Sequence, residues 1–132
     1  MKNWTKIQKR LKTNSHTQRQ KLALGLIHYP WNRIIKSTLL HHANIFFGPT
    51  IVHNDIRFHW HSLVAARNMG ILDREVYIHR KFSTQEQIAN ITDTRHLLVF
   101  EALKYTQRIL TRENQYTRVR SSWKKFSKDL II

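Results

Sequence analysis

The sequence predicts an α+β protein that is mainly helical, and two observations lead to this fold class. Apolar residues recur at spacings of three and four along most of the chain, which is the period of an amphipathic helix. One stretch, "ILDREVYIHRKF", instead alternates and is rich in β-branched and aromatic side chains, as in a strand. At 132 residues the chain has the length of a single domain.

The N-terminal third is predicted to contain three helices separated by breaks. Residues 3 to 13 form a short amphipathic helix whose polar face is rich in lysine. Residues 17 to 27 form the second helix, and Pro30 marks a boundary because it disfavours helix at the residue before it. The third helix spans residues 32 to 43 and closes near Asn44. A short apolar segment with a Gly-Pro break then indicates an extended piece and a turn.

Asp55 is predicted to begin the next helix, because a carboxylate at a helix start accepts backbone N–H groups and meets the positive end of the helix dipole. Gly70 suits the left-handed position after the end of that helix. The predicted buried stripe consists of Ile56, Trp60, Leu63 and Val64.

The C-terminal half is predicted to begin with the strand, from Glu75 to Arg80. After a polar loop, Asp93 caps a long helix, and the tail "SSWKKFSKDLII" is amphipathic and basic. The predicted apolar face of the long helix comprises Leu97, Phe100, Leu103 and Leu110.

The charge is strongly positive and unevenly distributed. The formal net charge is +15. Residues 1 to 54 contain nine basic residues and no acid, residues 55 to 102 contain six of each, and residues 103 to 132 contain eight basic and two acidic residues. Such an excess attracts nucleic acid, anionic lipid or phosphorylated ligands without choosing among them.

Composition also excludes several classes of site. Without cysteine there is no disulfide framework, thiolate zinc site or thiol nucleophile. No apolar run approaches the length that crosses a bilayer, and the N-terminus lacks the apolar core of a secretion signal. We therefore expect a cytoplasmic location, with peripheral attachment to the inner face of the membrane as an extension of it.

The nine histidines suggest a metal site, but their spacing argues against one. His59 and His61 are two residues apart and point to nearly opposite sides of a helix. Asp55 and His59 have the required spacing of four, with His53 close by, yet such a site lacks further acids. We expect no metal in this chain, and histidines that lie mostly on the surface or in an acceptor cleft.

Asp55 has two interpretations, a helix cap or an acid-base catalyst. A cap is the commoner role of an Asp before an apolar-periodic run. The neighbouring side chains favour chemistry, because a base needs groups around it that position a substrate. Rings such as Trp31, Phe58 and Trp60 can stack on sugar faces, while histidine, asparagine and arginine hydrogen-bond to hydroxyl groups. The composition therefore allows a sugar-binding cleft.

Four segments between Tyr29 and about Leu110 carry a family resemblance. They are "YPWNRIIKSTLLHHANIFF", "VHNDIRFHWHSLVAARNMGIL", "DREVYIHR" and "EQIANITDTRHLLVFEAL". In order and spacing they resemble the C-terminal, acceptor-side part of family 2 bacterial glycosyltransferases of the A-type fold. The resemblance covers about 80 of the 132 residues. It implies a partial A-type glycosyltransferase fold that lacks the N-terminal nucleotide-binding sheet.

The resemblance also implies roles for individual residues. Asp55 would be the general base that deprotonates the attacking sugar hydroxyl. The implied acceptor-binding residues are Trp31, Asn32, His53, Asn54 and Trp60. The implied contacts to the donor phosphates, or to the metal that balances them, are His79 and Arg80. A full-length relative is expected to use a divalent cation such as Mn or Mg.

The chain departs from the family pattern in three respects. Asn54 replaces the first acid of the doublet that opens the helix, and Glu86 replaces the glycine of the loop motif. A "VSVIIPVYN"-like first strand and an Asp-x-Asp motif, which hold the nucleotide-sugar and its cation in the family, do not occur in the sequence.

We therefore predict a truncated or remnant glycosyltransferase-like protein, inactive alone, related to enzymes that build surface polysaccharide or lipopolysaccharide. Its expected partners are a separate nucleotide-sugar-binding half and a saccharide acceptor, and self-association is expected from unpaired strand edges. Its predicted parts are a basic helical segment (1–28), an acceptor-side region (29–112) and a basic amphipathic tail (113–132).

The competing interpretation is a small basic protein that binds nucleic acid or an anionic membrane surface. In that case Trp4 and Trp123 lie among the basic residues and stack on bases. A third possibility is an unstable product without a function.

Overall fold

A computed structural model of the chain describes residues 9, 15–70, 72, 74, 75, 77–80 and 93–131. The helix predicted for residues 3 to 13 lies outside these residues except for Lys9. The loop predicted after the strand, residues 83–92, also lies outside them.

The described residues include five α-helices. They are α1 (His16–Leu24), α2 (Ser37–His42), α3 (Asp55–Ala65), α4 (Leu98–Arg112) and α5 (Tyr116–Ile131). Two 3-10 turns occupy Pro30–Asn32 and Thr94–Leu97. The prediction of a mainly helical protein is confirmed.

The helix α1 begins as its sequence dictates and is shorter than predicted. The Ser15 hydroxyl accepts the Gln18 backbone N–H, and the Gln18 side chain accepts the Ser15 backbone N–H, which is a capping box. The helix ends at Leu24, before Gly25, rather than at residue 27.

The helix predicted for residues 32 to 43 is present only as α2. Before it, Arg33 has extended backbone angles, and its side chain reaches inward to His59 instead of continuing a helix. Asn44, with a φ of 49°, adopts the left-handed conformation just after α2, so the predicted closure at this residue is confirmed.

The helix α3 is the centre of the fold. It begins at Asp55 as predicted, and Ile56, Trp60 and Val64 are buried while Leu63 packs against them. The prediction for Gly70 is wrong, because α3 already ends at Ala65 and Gly70 has no positive φ.

The strand predicted from Glu75 to Arg80 is absent from the residues described there, which are 75 and 77–80. Two of its aromatic side chains pack elsewhere: the Tyr77 and His79 rings lie against Trp31. An alternating pattern therefore reflects an exposed aromatic cluster here and not a pleated ladder.

The helix α4 buries a different stripe from the one predicted. Asp93 caps the 3-10 turn before α4, accepting the Arg95 backbone N–H at 2.9 Å. Leu97 lies in that turn and is exposed, and Phe100 lies at the edge of the buried face of α4 and is exposed too, while Leu103 and Leu110 are buried as predicted. The buried positions of α4 are Val99, Ala102, Leu103, Thr106, Ile109 and Leu110.

The core lies where α3 meets α1, α4 and α5. Trp60 is fully buried and packs edge to face on Trp123 at 4.8 Å between ring centroids. The Trp123 indole N–H donates to the Gln107 side chain at 3.0 Å. Trp123 is therefore a core residue, and the prediction that it stacks on bases is wrong.

A polar clamp closes the C-terminal end of α3. The buried Gln20 side chain donates to the Leu63 carbonyl at 2.6 Å. From α5, Arg118 donates to the Gln20 side-chain oxygen and to the Val64 carbonyl. These two side chains satisfy the last carbonyls of α3, which explains why no left-handed glycine is needed there.

We expect Arg118→Met to lower the free energy of unfolding by about 1–3 kcal/mol, because it leaves the buried Gln20 oxygen without a donor. Urea denaturation followed by circular dichroism measures the change. Arg120→Met, at an exposed position of the same helix, is the matched control. Equal transition midpoints for the two variants would contradict a role for the clamp.

Candidate functional site

The candidate site is built around Asp55 at the start of α3. Its carboxylate is mostly buried, with 19% of the side chain exposed, and Oδ1 lies 3.7 Å from Nε2 of His28. His28 belongs to the segment between α1 and the first 3-10 turn, and its side chain is 17% exposed. Two titratable groups thus face each other at a partly accessible position.

Burial sets the protonation behaviour of this pair. Desolvation raises the pKa of Asp55, while the positive charge of a protonated His28 and the backbone N–H groups of Asp55 and Ile56 oppose that rise. Desolvation also lowers the pKa of His28, against the attraction of Asp55. A carboxylate with a raised pKa is a stronger base, as general base catalysis requires.

A buried arginine lies behind the pair. Arg33 Nη2 donates to Nδ1 of His59 at 2.7 Å, and Nε2 of His59 donates to the Leu24 carbonyl at 3.3 Å. A guanidinium only donates, so Nδ1 of His59 is the acceptor and the ring is neutral. Burial, reinforced by Arg33, lowers the pKa of His59 to about 3.

Arg33 is itself held on several sides. Its Nε donates to the Asn32 side-chain oxygen at 2.9 Å, and Asn32 donates in turn to the Ile27 carbonyl at 2.9 Å. Burial lowers the pKa of Arg33 to about 10, while Asp55 raises it. Nη1 of Arg33 is buried without a hydrogen-bond partner among the described residues.

Beside His28 the surface carries a cluster of rings, which we call the aromatic ladder and define as Tyr29, Trp31, Tyr77 and His79. Tyr29 stacks on Trp31 at 4.6 Å and Trp31 stacks on Tyr77 at 5.8 Å. His79 meets Trp31 edge-on at 5.0 Å. The first three rings are between about one third and one half exposed. The ladder connects to Asp55 through His28, whose ring lies 6.1 Å from that of Tyr29 and whose Nε2 faces the carboxylate. Exposed aromatic rings near a carboxylate are compatible with a bound sugar.

The structure brings some of the predicted residues together. Trp31 lies in the aromatic ladder, and Asn32 orients Arg33 rather than projecting freely. His53 lies near Asp55, with a left-handed φ of 60°. Its buried Nε2 has no partner among the described residues, and burial lowers its pKa. Asn54 precedes α3 without a side-chain capping bond.

Other predicted residues lie apart from the site. Trp60 is wrong as an acceptor contact, because its ring is fully buried in the core. Phe58 stacks on Phe47 at 4.5 Å, outside the aromatic ladder. His59 and His61 are buried, so the prediction that the histidines lie on the surface or in a cleft is wrong for both.

Sequence reasoning missed His28, Arg33 and Tyr29 as members of the site. The segment that carries them has no helical or alternating period that could align it with Asp55. Within the segment "HYPWNR", only Trp31 and Asn32 were predicted as site residues.

The site does not fit the divalent cation expected of relatives. Among the residues that the structure describes, no group of three His, Asp or Glu side chains could hold a metal ion. The buried cationic Arg33 beside Asp55 would also repel one.

Comparisons with protein-family models, curated proteins and solved structures gave no match to this chain. In the described part of the chain, no helix has the length and apolar character to cross a membrane.

Proposed function

We propose that this chain forms the acceptor side of a glycosyltransferase that moves a sugar from a nucleotide-sugar to a surface polysaccharide or lipopolysaccharide. The observation that carries the proposal is the mostly buried Asp55 carboxylate, paired with His28 and flanked by the exposed aromatic ladder. The sequence resemblance to family 2 glycosyltransferases supports the same reaction.

The proposed acceptor lies against the exposed edges of the aromatic ladder, at Tyr29, Trp31 and Tyr77, and directs a hydroxyl group at Asp55. As the hydroxyl oxygen bonds to the anomeric carbon of the donor sugar, its proton passes to the Asp55 carboxylate. The bond from that carbon to the nucleotide diphosphate breaks, and the diphosphate leaves with the electron pair. Because its pKa is raised, the Asp55 carboxylate is a stronger base toward the acceptor hydroxyl than an exposed carboxylate.

Four neighbours support this step. His28 holds the carboxylate from one side, and Arg33 provides a positive charge near it. Arg80 is exposed near the aromatic ladder, and with His79 it remains the proposed contact to donor phosphates. The nucleotide-sugar-binding half is assigned to polypeptide outside these 132 residues, so the chain alone is proposed to be inactive.

Saccharide binding tests the acceptor surface without a donor. We expect saturation-transfer difference NMR to detect binding of rough-type lipopolysaccharide core oligosaccharide, and Trp31→Ala to abolish it by removing the central ring of the ladder. Phe100→Ala, at an exposed ring on α4, is the control and should leave binding unchanged. Equal signals for the two variants would contradict an acceptor site at the ladder.

A further inference from the structure

A groove between α4 and α5 is separate from the Asp55 site. It has a volume of about 740 Å³, and Trp123 is one of its lining residues. No residue of the Asp55 site or of the aromatic ladder lines it. The proposed acceptor site at Asp55 therefore does not account for the side chains that line this groove.

One wall of the groove is a row of cations on α4. Lys104, Arg108 and Arg112 line the groove and are spaced four residues apart. They share one face of the helix at intervals of about 6 Å along its axis. Arg112 also contacts Glu113 at 3.2 Å, but both side chains are largely exposed, so this pair is weak and leaves the guanidinium accessible.

The opposite wall adds further donors. Ser127 of α5 lines the groove, and its hydroxyl is buried without a partner among the described residues. At 100° per residue, Arg120 and Lys124 lie on the same side of α5 as Ser127. Acids flank the cation row only at its ends, at Glu101 and Glu113. The groove is therefore strongly positive along its length.

An exposed ring continues the row. Phe100 is 53% exposed and lies one turn before Lys104 on α4. A positively charged groove with an aromatic side chain beside it is the combination by which proteins hold single-stranded nucleic acid without reading its sequence.

We propose that this groove binds the phosphodiester backbone of single-stranded nucleic acid, with phosphates on Lys104, Arg108 and Arg112 and a base stacked on Phe100. The proposal does not depend on sugar transfer at Asp55. A bilayer is a poorer occupant, because most apolar side chains of α4 and α5, except Phe100 and Ile131, pack in or against the core and are not available for insertion.

Fluorescence anisotropy with a labelled oligothymidylate tests the proposal on the full chain. We expect the triple variant Lys104→Gln, Arg108→Gln, Arg112→Gln to weaken binding at least tenfold and to reduce the slope of log K against log salt by about 2. The matched control is a second triple variant that removes the same charge outside the cation row. It carries Lys21→Gln, Lys36→Gln and Lys125→Gln. Phe100→Ala should weaken binding severalfold with an unchanged salt slope.

If the two triple variants lose oligothymidylate affinity equally, the proposed groove site is wrong, because the affinity then depends on overall charge. If the wild-type chain does not bind the oligothymidylate, the nucleic-acid proposal is wrong. If the chain binds phosphatidylserine vesicles more tightly, and only the groove variant loses that binding, the groove binds a lipid surface instead. Thermal melts of all variants control for folding. Trp31→Ala should leave oligothymidylate binding intact, so the failure of either site is distinguishable from the failure of the other.

Discussion

Replacing Asp55 with Asn should reduce sugar transfer by roughly a hundredfold to ten-thousandfold in an enzyme reconstituted from this chain and a nucleotide-sugar-binding half. Asn keeps the size of the side chain but cannot accept the proton of the acceptor hydroxyl. Release of the nucleotide diphosphate in the presence of acceptor measures the rate. Asp129→Asn removes a carboxylate from the exposed surface of α5 and is the matched control.

The stability of Asp55→Asn and the pH dependence of the wild-type rate distinguish loss of the general base from unfolding of the chain. Because burial raises the pKa of Asp55, its contribution to stability is present below its unfolded pKa and is lost as the pH rises through its folded pKa. Asp55→Asn should therefore not destabilise the chain at neutral pH. The wild-type rate should rise as the pH passes upward through the raised pKa. Undiminished turnover in Asp55→Asn would remove this residue from the mechanism.

Acid should unfold the chain, with His59 as a principal cause. Its pKa is lowered to about 3 from an ordinary value of 6.5, so it contributes stability that is present above about 6.5 and lost as the pH falls toward 3. The difference corresponds to on the order of 5 kcal/mol, a large fraction of the stability of a small domain. Burial also lowers the pKa values of His28, His53 and His61, which act in the same direction.

The variant His59→Gln should flatten this pH dependence. Glutamine does not titrate and can still donate to the Leu24 carbonyl, so we expect a loss of about 1–2 kcal/mol at neutral pH and a smaller further loss in acid. Urea denaturation at about pH 7 and about pH 4.5 measures both quantities. His42→Gln, at an exposed position, is the control. The same acid sensitivity in His59→Gln and wild type would contradict this account of His59.

Helical periodicity predicted much of the fold. The stripe of α3 and its start at Asp55 followed from apolar spacing and from the preference of an acid for a helix N-terminus. The same rule failed on α4, where Leu97 falls in a 3-10 turn that spacing does not reveal and Phe100 lies at the edge of the buried face, so that both are exposed. It also failed at Gly70, because Gln20 and Arg118 close the end of α3 from other helices.

The site was only partly predictable for the same reason. Asp55 and Trp31 carry local signals in the sequence. The pairing of Arg33 with His59, and of His28 with Asp55, joins positions 26 and 27 residues apart that no periodic pattern relates. Alternation at Tyr77 and His79 indicated a strand, whereas their rings are organised by contact with Trp31.

The proposed saccharide acceptor site at Asp55 is tested most directly by amide chemical-shift mapping. The full labelled chain is titrated with core oligosaccharide. We predict that the largest shifts fall at residues 28–33, 53–55 and 77–80. Shifts confined to the groove between α4 and α5, or no saturable shifts, would contradict it.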